Sequence, residues 1–337
     1  MKPFKTHRQQ LRILRDRGLT ISKDGEGSKV MRVLEKENYY NVINGYKDPF
    51  LKKTPNKLNK IPEEFEDNKS FDEIYSLYVM DRRLRSLILE YLLLLETHLK
   101  SAISYKFCEK FPEQNSYLDI QNYSSDNEKI IDKVSVIANL SGVIKRNIKK
   151  ESFSNNQTLN SIEHYLKNHQ GVPLWVLVNY LTIGNIYYFY KALDNDLADD
   201  IAKVFKDRYK RSRNRHISLN KKDLTTLIHF IKTYRNVCAH EERLFDLQIG
   251  PPNISKYINA YNRENRINVT SDELSKGDMF CLLFVLRFYL SKEEYLNLIR
   301  DTEEIIKEHK PDFSEENYRY IYIKTGLHKI KFNKLYL

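Results

Sequence analysis

The segment Tyr234-Arg235-Asn236-Val237-Cys238-Ala239-His240-Glu241-Glu242-Arg243-Leu244-Phe245 places an arginine and a histidine five positions apart amid further polar residues. An imidazole can take a proton from one ribose oxygen and return one to another, while a guanidinium holds the charge of the phosphate between them. With the 2′-hydroxyl as nucleophile, RNA cleavage asks for little beyond these two groups and demands no metal. Proton transfer of this kind is worth ~10²–10⁴ in rate, and charge stabilisation a comparable factor. Spacing alone does not decide, because the sequence holds two R-x4-H pairs, Arg235 with His240 and Arg211 with His216. Cationic side chains in a last helical turn also stabilise the dipole and cap carbonyls, by about 0.3–1 kcal/mol. Both readings of Arg235 and His240 stand at this point. Five steps along an ideal helix turn about 500°, which leaves the two residues about 140° apart. They share a site only if the helix ends between them or two copies of the chain meet, and a dimer is the simpler arrangement.

Other constellations carry less. Gly25-Glu26-Gly27 lacks the third glycine and the preceding strand of a dinucleotide fingerprint, and no G-x-x-x-x-G-K-[ST] occurs. His164 and His169, five apart beside Glu163, miss the three or four spacing of a helical metal pair and read as solvated. No metal or cofactor is expected. Cys238 stands two positions from His240, on a different side of a helix, and reads as core rather than nucleophile. The three cysteines, Cys108, Cys238 and Cys281, form no C-x-x-C spacing and no disulfide framework.

The elements that must position the pair are helical. Gly and Pro number only 10 and 9 of 337 residues, about half the usual share, and long stretches contain neither. Ser70 and Glu73 have capping-box spacing, and no Gly or Pro follows until Pro112, so one long helix or two collinear ones are expected from residue 70. Leu77, Leu84, Leu87, Ile88, Tyr91, Leu92, Leu95, Leu99, Ala102 and Ile103 recur at three and four along it as a buried stripe, with Arg82, Arg83 and Arg85 taken to lie off it. Leu224, Leu227, Ile228, Ile231 and Cys238 mark a second amphipathic helix ending near His240. Pro173-Leu174-Trp175 opens a further buried helix with Pro173 in its first turn, and Gly184 is expected to break or end it. Residues 278–309 read as one more helix or a helical pair, and 113–160 as polar loops around a helix near 127–150. Tyr320-Ile321-Tyr322-Ile323 before Lys324-Thr325-Gly326 alternates loosely, as a short C-terminal hairpin would. A connector rich in Pro, Lys and Asn over 47–70 divides an N-terminal helical segment, 1–70, from a helical domain, 71–337, with insertions near 113–160 and 206–220.

Lys and Arg exceed Asp and Glu by 11, which makes a polyanion the natural partner, although a bias toward Lys, Asn, Ile and Tyr also accounts for the excess. The densest basic run is Lys206 to His216, with a second at Lys145 to Lys150; either can bind phosphates or be an ordinary solvated face. The abundant tyrosines can stack on unpaired bases. Residues 1–10 are followed by no apolar run, and apolar runs elsewhere, such as Cys281 to Leu286, are short. Neither a signal peptide nor a membrane span is expected, and a cytoplasmic setting fits the cysteines.

The R-N-x-x-A-H-x-x-R-L-F string from Arg235 to Phe245 resembles the signature of the Abi-like (AbiD/AbiF) abortive-infection proteins of bacterial phage defence. Lys2-Pro3-Phe4, Asn38-Tyr39-Tyr40, Asn44-Gly45-Tyr46, Tyr78 with Asp81-Arg82-Arg83-Leu84-Arg85, Pro173-Leu174-Trp175 and Gly184 match in order, so the resemblance spans most of the chain. It implies an all-α fold, a HEPN-like helical bundle in which an R-x(4–6)-H motif cleaves RNA without metal, often as a dimer. In that motif it is also similar to RNA-guided type VI CRISPR ribonucleases. Carried over, Arg235, Asn236 and His240 become the catalytic set. Arg82, Arg83, Arg85, Lys206, Arg208, Lys210, Arg211, Arg213, Arg215 and Arg243 are then the expected RNA contacts. The implied partners are substrate RNA, a structured noncoding RNA that restrains the nuclease, and a second copy of the chain. Glu90 and Glu96 fall on the long helix, as surface acids that can orient Arg235. The competing expectation is a non-catalytic RNA-binding or scaffolding module.

Overall fold

The computed structural model describes residues 3–22, 25–52, 63–126, 128, 130–148, 159–265 and 268–336. Its regular structure is helical: the described residues contain no β-strand, only single bridges between Thr20 and Ser70 and between Leu51 and Phe65. Helices α1 (His7–Asp16) and α2 (Glu26–Glu37) open the chain and pack on each other. The absence of Gly and Pro after Ser70 then lets one helix, α3 (Phe71–Lys110), run for 40 residues, about 60 Å at the α-helical rise. The expected capping box starts it: Glu73 N–H donates to Ser70 Oγ at 3.2 Å and Ser70 N–H to Glu73 Oε2 at 2.9 Å.

Next come α4 (Ile130–Arg146), α5 (Ser161–His169), the single turn α6 (Leu174–Leu177) and α7 (Ile183–Ala192). The helices α8 (Asn195–Arg213) and α9 (Lys221–Ala239) follow. The chain closes with α10 (Ser255–Asn265), α11 (Ser271–Leu274), α12 (Met279–Leu286), α13 (Lys292–His309), α14 (Glu315–Lys324) and α15 (Lys329–Asn333). α3 is the axis: α13, α9, α8 and α6 all pack along it, and α7 bridges α9 to α4. α12 is apolar at every position and buried all round, as a helix enclosed by others must be. One continuous hydrophobic core extends from Leu11 to Leu335, so the first seventy residues share it with the rest. No helix among the described residues is long and apolar enough to cross a membrane.

Several expectations are corrected. Residues 320–324 form the end of α14, not a hairpin strand. Ser314 Oγ caps the helix by accepting from Asn317 N–H at 3.3 Å, and Asn317 and Ile321, four apart, are its buried positions. Gly326 follows at φ +78°, past the C-cap Thr325, where left-handed backbone favours glycine. The basic stretch from Lys206 to Arg213 is helical and forms the end of α8. Pro173 sits at the N-cap of α6, and the chain turns at residues 178–182 before Gly184, which lies in the first turn of α7. Of the expected helix near 127–150, residues 130–146 are helical, while 149–158 lie outside the described residues.

Arg85 is the sharpest correction. It lies on the buried stripe, not off it: Asp81 is fully buried and Arg85 is 2% exposed. Asp81 Oδ2 accepts from Tyr46 Oη at 2.6 Å, from Arg85 Nη1 at 2.6 Å and from the backbone N–H of Leu244 at 3.0 Å. Arg85 Nη1 also donates to Tyr46 Oη at 2.7 Å. One carboxylate thus ties the N-terminal segment, α3 and the loop after α9 together.

Removing one member of a buried, hydrogen-bonded ion pair leaves the other charge uncompensated, at a cost of about 3–5 kcal/mol. Asp81→Ala is therefore expected to lower unfolding free energy by that amount in urea titration, and Asp81→Leu with Arg85→Met by less than Asp81→Ala alone. Equal or greater loss in the double variant would show that the pair itself is not the source.

Candidate functional site

α9 begins with a reciprocal cap, Asn220 and Asp223 each accepting from the other's backbone N–H at 3.1 and 2.9 Å. Leu224, Leu227, Ile228, Ile231, Tyr234 and Cys238 are buried, as the spacing requires, and Tyr234 Oη donates to the Gly277 carbonyl at 2.7 Å. Burial, reinforced by the nearby Asp81 carboxylate, pushes the Cys238 thiol up to about 12. It stays protonated at neutral pH and takes the core role read from sequence.

The helix closes through its own backbone. His240 N–H donates to Asn236 O at 2.9 Å, Glu242 N–H reaches back to Val237 O at 3.0 Å, and Glu241 between them has φ +58°. This six-to-one bond over a left-handed residue is a Schellman closure, here built on glutamate instead of glycine. Asn236 and His240 are exposed on one face of α9, four residues apart. Neither Arg235 nor His240 gives a side-chain hydrogen bond to a helix carbonyl among the described residues.

Arg235 turns instead to α3. Its Nε lies 3.4 Å from Glu96 Oε2 as an ion pair without hydrogen-bond alignment, and Lys100 Nζ holds Glu96 Oε1 at 2.8 Å. The Glu96 side chain is 7% exposed and that of Arg235 29%. Glu96 is therefore a buried acid shared by two cations, not the surface acid expected, whereas Glu90 is exposed. Arg235 is fixed against α3 while part of its guanidinium faces solvent.

The loop beyond His240 is clamped. Leu244 and Phe245 are buried, and Arg243 donates to the Gly45 carbonyl at 2.8 Å while pairing with Asp48 at 3.1 Å and Asp246 at 2.9 Å. Phe245 stacks on Tyr46, which meets Tyr78 edge-on. Arg243 thus holds the N-terminal segment against the loop, with about a third of its side chain still exposed.

The remaining basic residues divide. Arg82 pairs with Glu37 at 3.1 Å over the Tyr78 ring, and Arg83 pairs with Glu308. Arg208 lies 3.7 Å from Glu294. Arg213 turns inward, its Nε donating to Arg287 O at 3.2 Å and its guanidinium over Tyr295; burial and the adjacent Arg287 lower it to about 10. That is a packing role where an RNA contact was expected. Lys210, Arg211 and Arg215 are exposed, and Lys206 is half-buried. Lys203, Lys206 and Lys210 line a surface hollow of about 340 Å³ with Asp207 and His216. Near the motif, on the α9 face that carries Asn236 and His240, Lys232 lies over the rings of Tyr187 and Tyr188, and His229 packs on Tyr187. The His164 ring meets Tyr165 edge-on, and the His169 ring lies tilted against Tyr165.

Sequence reading missed Asp81, Tyr46 and Lys100 as residues that build the site. The signal for the first was present: Asp81 and Arg85 are four apart and in phase with Leu77, Ile88 and Leu92, so a charged pair was written into an apolar stripe.

A family model described as Abi-like protein matches residues 32–246 of the chain. The match runs from α2 to the residue after Phe245, and so takes in the Asp81 clamp, Glu96 and the whole Arg235-to-Phe245 segment. No curated protein and no solved structure matches the chain.

A non-glycine residue in left-handed backbone costs of order 1 kcal/mol relative to glycine at a helix C′ position. Glu241→Gly is expected to raise unfolding free energy by about 0.5–1 kcal/mol in chemical denaturation, and a loss of stability would mean that the Glu241 side chain makes a compensating contact.

Proposed function

The chain belongs to the Abi-like protein family, and from that premise we propose that it is a metal-independent endoribonuclease of abortive infection, with Arg235 and His240 as its catalytic pair. The observation that carries the reading is the way α9 ends. Its last carbonyls are closed by backbone bonds over Glu241, so the imidazole is not spent as a cap and projects free at the surface. Arg235, five residues earlier, is steadied by Glu96 and Lys100 yet stays partly open. A free imidazole and a steadied guanidinium are what in-line attack by a ribose 2′-hydroxyl requires.

In the proposed reaction His240 accepts the 2′-hydroxyl proton as that oxygen bonds to phosphorus, and the bond to the 5′-oxygen breaks. The departing oxygen receives a proton from an imidazolium, leaving a 2′,3′-cyclic phosphate and a 5′-hydroxyl. Arg235 neutralises the charge on the phosphoryl oxygens. Asn236, exposed on the His240 face, is within the same surface to hold the strand, and Tyr188 with Lys232 offers the next base a ring and a cation. Two chains together supply the complete pair, and a structured noncoding RNA is the proposed restraint.

The hollow lined by Lys203, Lys206 and Lys210 favours a second reading in which the protein binds RNA without cutting it. The two readings separate on the same variants. Under the nuclease reading, RNA is cut in excess chelator, DNA is not, and His240→Ala or Arg235→Ala lowers the rate by at least ~100-fold with RNA affinity retained. Glu96→Gln is expected to lower kcat with a smaller effect on KM, as loosened positioning of Arg235 would. Should chelation abolish cleavage, or His240→Ala cut and protect against phage as the parent does, the nuclease reading fails. Lys206→Glu with Lys210→Glu weakening both RNA binding and phage protection would then favour the binding module.

A further inference from the structure

A cleft of about 800 Å³ opens between α13, α14 and α15, wholly outside the matched span of residues 32–246. Its size and mixed lining are those of a small-ligand site rather than of a packing defect. The walls are aromatic: Tyr318 and Tyr322 stack at 5.6 Å, four residues apart on α14, above the buried Phe332 of α15, which is also in the lining. The rim is cationic. Lys307 is balanced by Glu303 at 2.7 Å, and Lys310 sits over the Tyr318 ring with Glu315 at 3.8 Å. Arg319 is exposed in the same lining and has no partner among the described residues. The lining acids Glu303 and Glu315 are thus matched, and Arg319 leaves the cleft with an uncompensated positive charge.

His328 lines the cleft as well. Burial, with the neighbouring Lys331, holds its imidazole below the ordinary histidine range, so the ring adds a neutral polar wall at pH 7.

We propose that this cleft binds a nucleotide unit: a planar base against the Tyr318 and Tyr322 rings, beside the neutral His328, and its phosphate on Arg319. A purely apolar ligand would leave Arg319 and His328 unused, and a simple anion would leave the rings unused. The same chemistry is offered by a free nucleotide and by one residue of an RNA strand. The cleft adjoins α13, the helix most extensively packed on α3, but the proposal concerns binding only and does not depend on the nuclease reading.

The test is calorimetric titration of the full-length His240→Ala protein, in which no RNA is consumed, with AMP, ATP, adenosine and a 5′-phosphorylated, 2′-O-methylated RNA hexamer. Saturable binding is expected for a phosphate-bearing probe, at least tenfold weaker for adenosine, and at least tenfold weaker again in Arg319→Glu and in Tyr322→Leu. Arg319 is exposed, so Arg319→Glu is expected to keep the parent melting temperature, which separates lost binding from lost fold. Binding of AMP or ATP identifies a free nucleotide as the occupant, and binding of the hexamer alone identifies a strand. If no probe saturates, or Arg319→Glu binds as the parent does, the proposal is overturned. RNA cleavage by the unaltered protein would be untouched by that failure.

Discussion

The position of the candidate site depends on one buried carboxylate. Asp81 lies in the interior of a long helix and accepts from a tyrosine of the N-terminal segment, an arginine of its own helix and the backbone of the loop after α9. An isolated carboxylate there would be prohibitively costly, and three donors with a full positive charge make its burial tolerable. Because each donor comes from a different part of the chain, satisfying this single group fixes their mutual placement. The loop cannot leave Asp81 without stranding it, so α9 must stop within a few residues of Cys238, and His240 is left at the surface. Arg243 reinforces the same geometry from the other side, through Gly45 and Asp48.

Much of this fold was legible because helices write their periodicity and their caps into local sequence. Ser70 with Glu73, the apolar stripe from Leu77 to Ile103 and the end of α9 near His240 all rest on interactions within a few residues, and all are found. What escaped were charges that belong to the interior. Arg85 was grouped with Arg82 and Arg83 by composition, yet angle rather than type decides: four residues on from Asp81 it points into the bundle, while Arg83, two residues earlier, points out. Glu96 follows the same rule, in phase with Leu92 and Leu99. Its partnership with Arg235 joins positions far apart in the chain, which no local pattern encodes.

The C-terminal segment failed for a different physical reason. Tyr320-Ile321-Tyr322-Ile323 has strand-forming residue types, and intrinsic preference there is weak beside packing. Ile321 is buried four residues after Asn317, whereas Ile323 is exposed, a helical rather than alternating pattern. The glycine read as a hairpin turn is the left-handed stop of a helix, and it also has to be small: a Cβ at Gly326 would fall 2.4 Å from a carboxylate oxygen of Asp278, the N-cap of α12. Helical spacing is also what brings the Tyr318 and Tyr322 rings into contact, whereas on a strand they would share a face but stand about 13 Å apart.

The way α9 ends also bears on how a catalytic pair can be assembled. Two routes to a shared site are open: a helix that ends between Arg235 and His240, or a second chain. α9 does end between them, at Ala239 with His240 as its C-cap, but His240 N–H still makes its bond to Asn236, so the imidazole leaves the last turn near its helical direction. The angular separation stays near the ~140° of an ideal helix. Within one chain Arg235 is drawn to Glu96 on α3 while His240 looks away on the exposed face. The proposed composite site takes the groups from facing protomers. A two-fold axis near the end of α9 would then pair each Arg235 with the other chain's imidazole and generate two equivalent sites at once. The rigidity of the Asp81 clamp is what would make such pairing reproducible, since a frayed helix end could not present the imidazole at a fixed angle to a second surface.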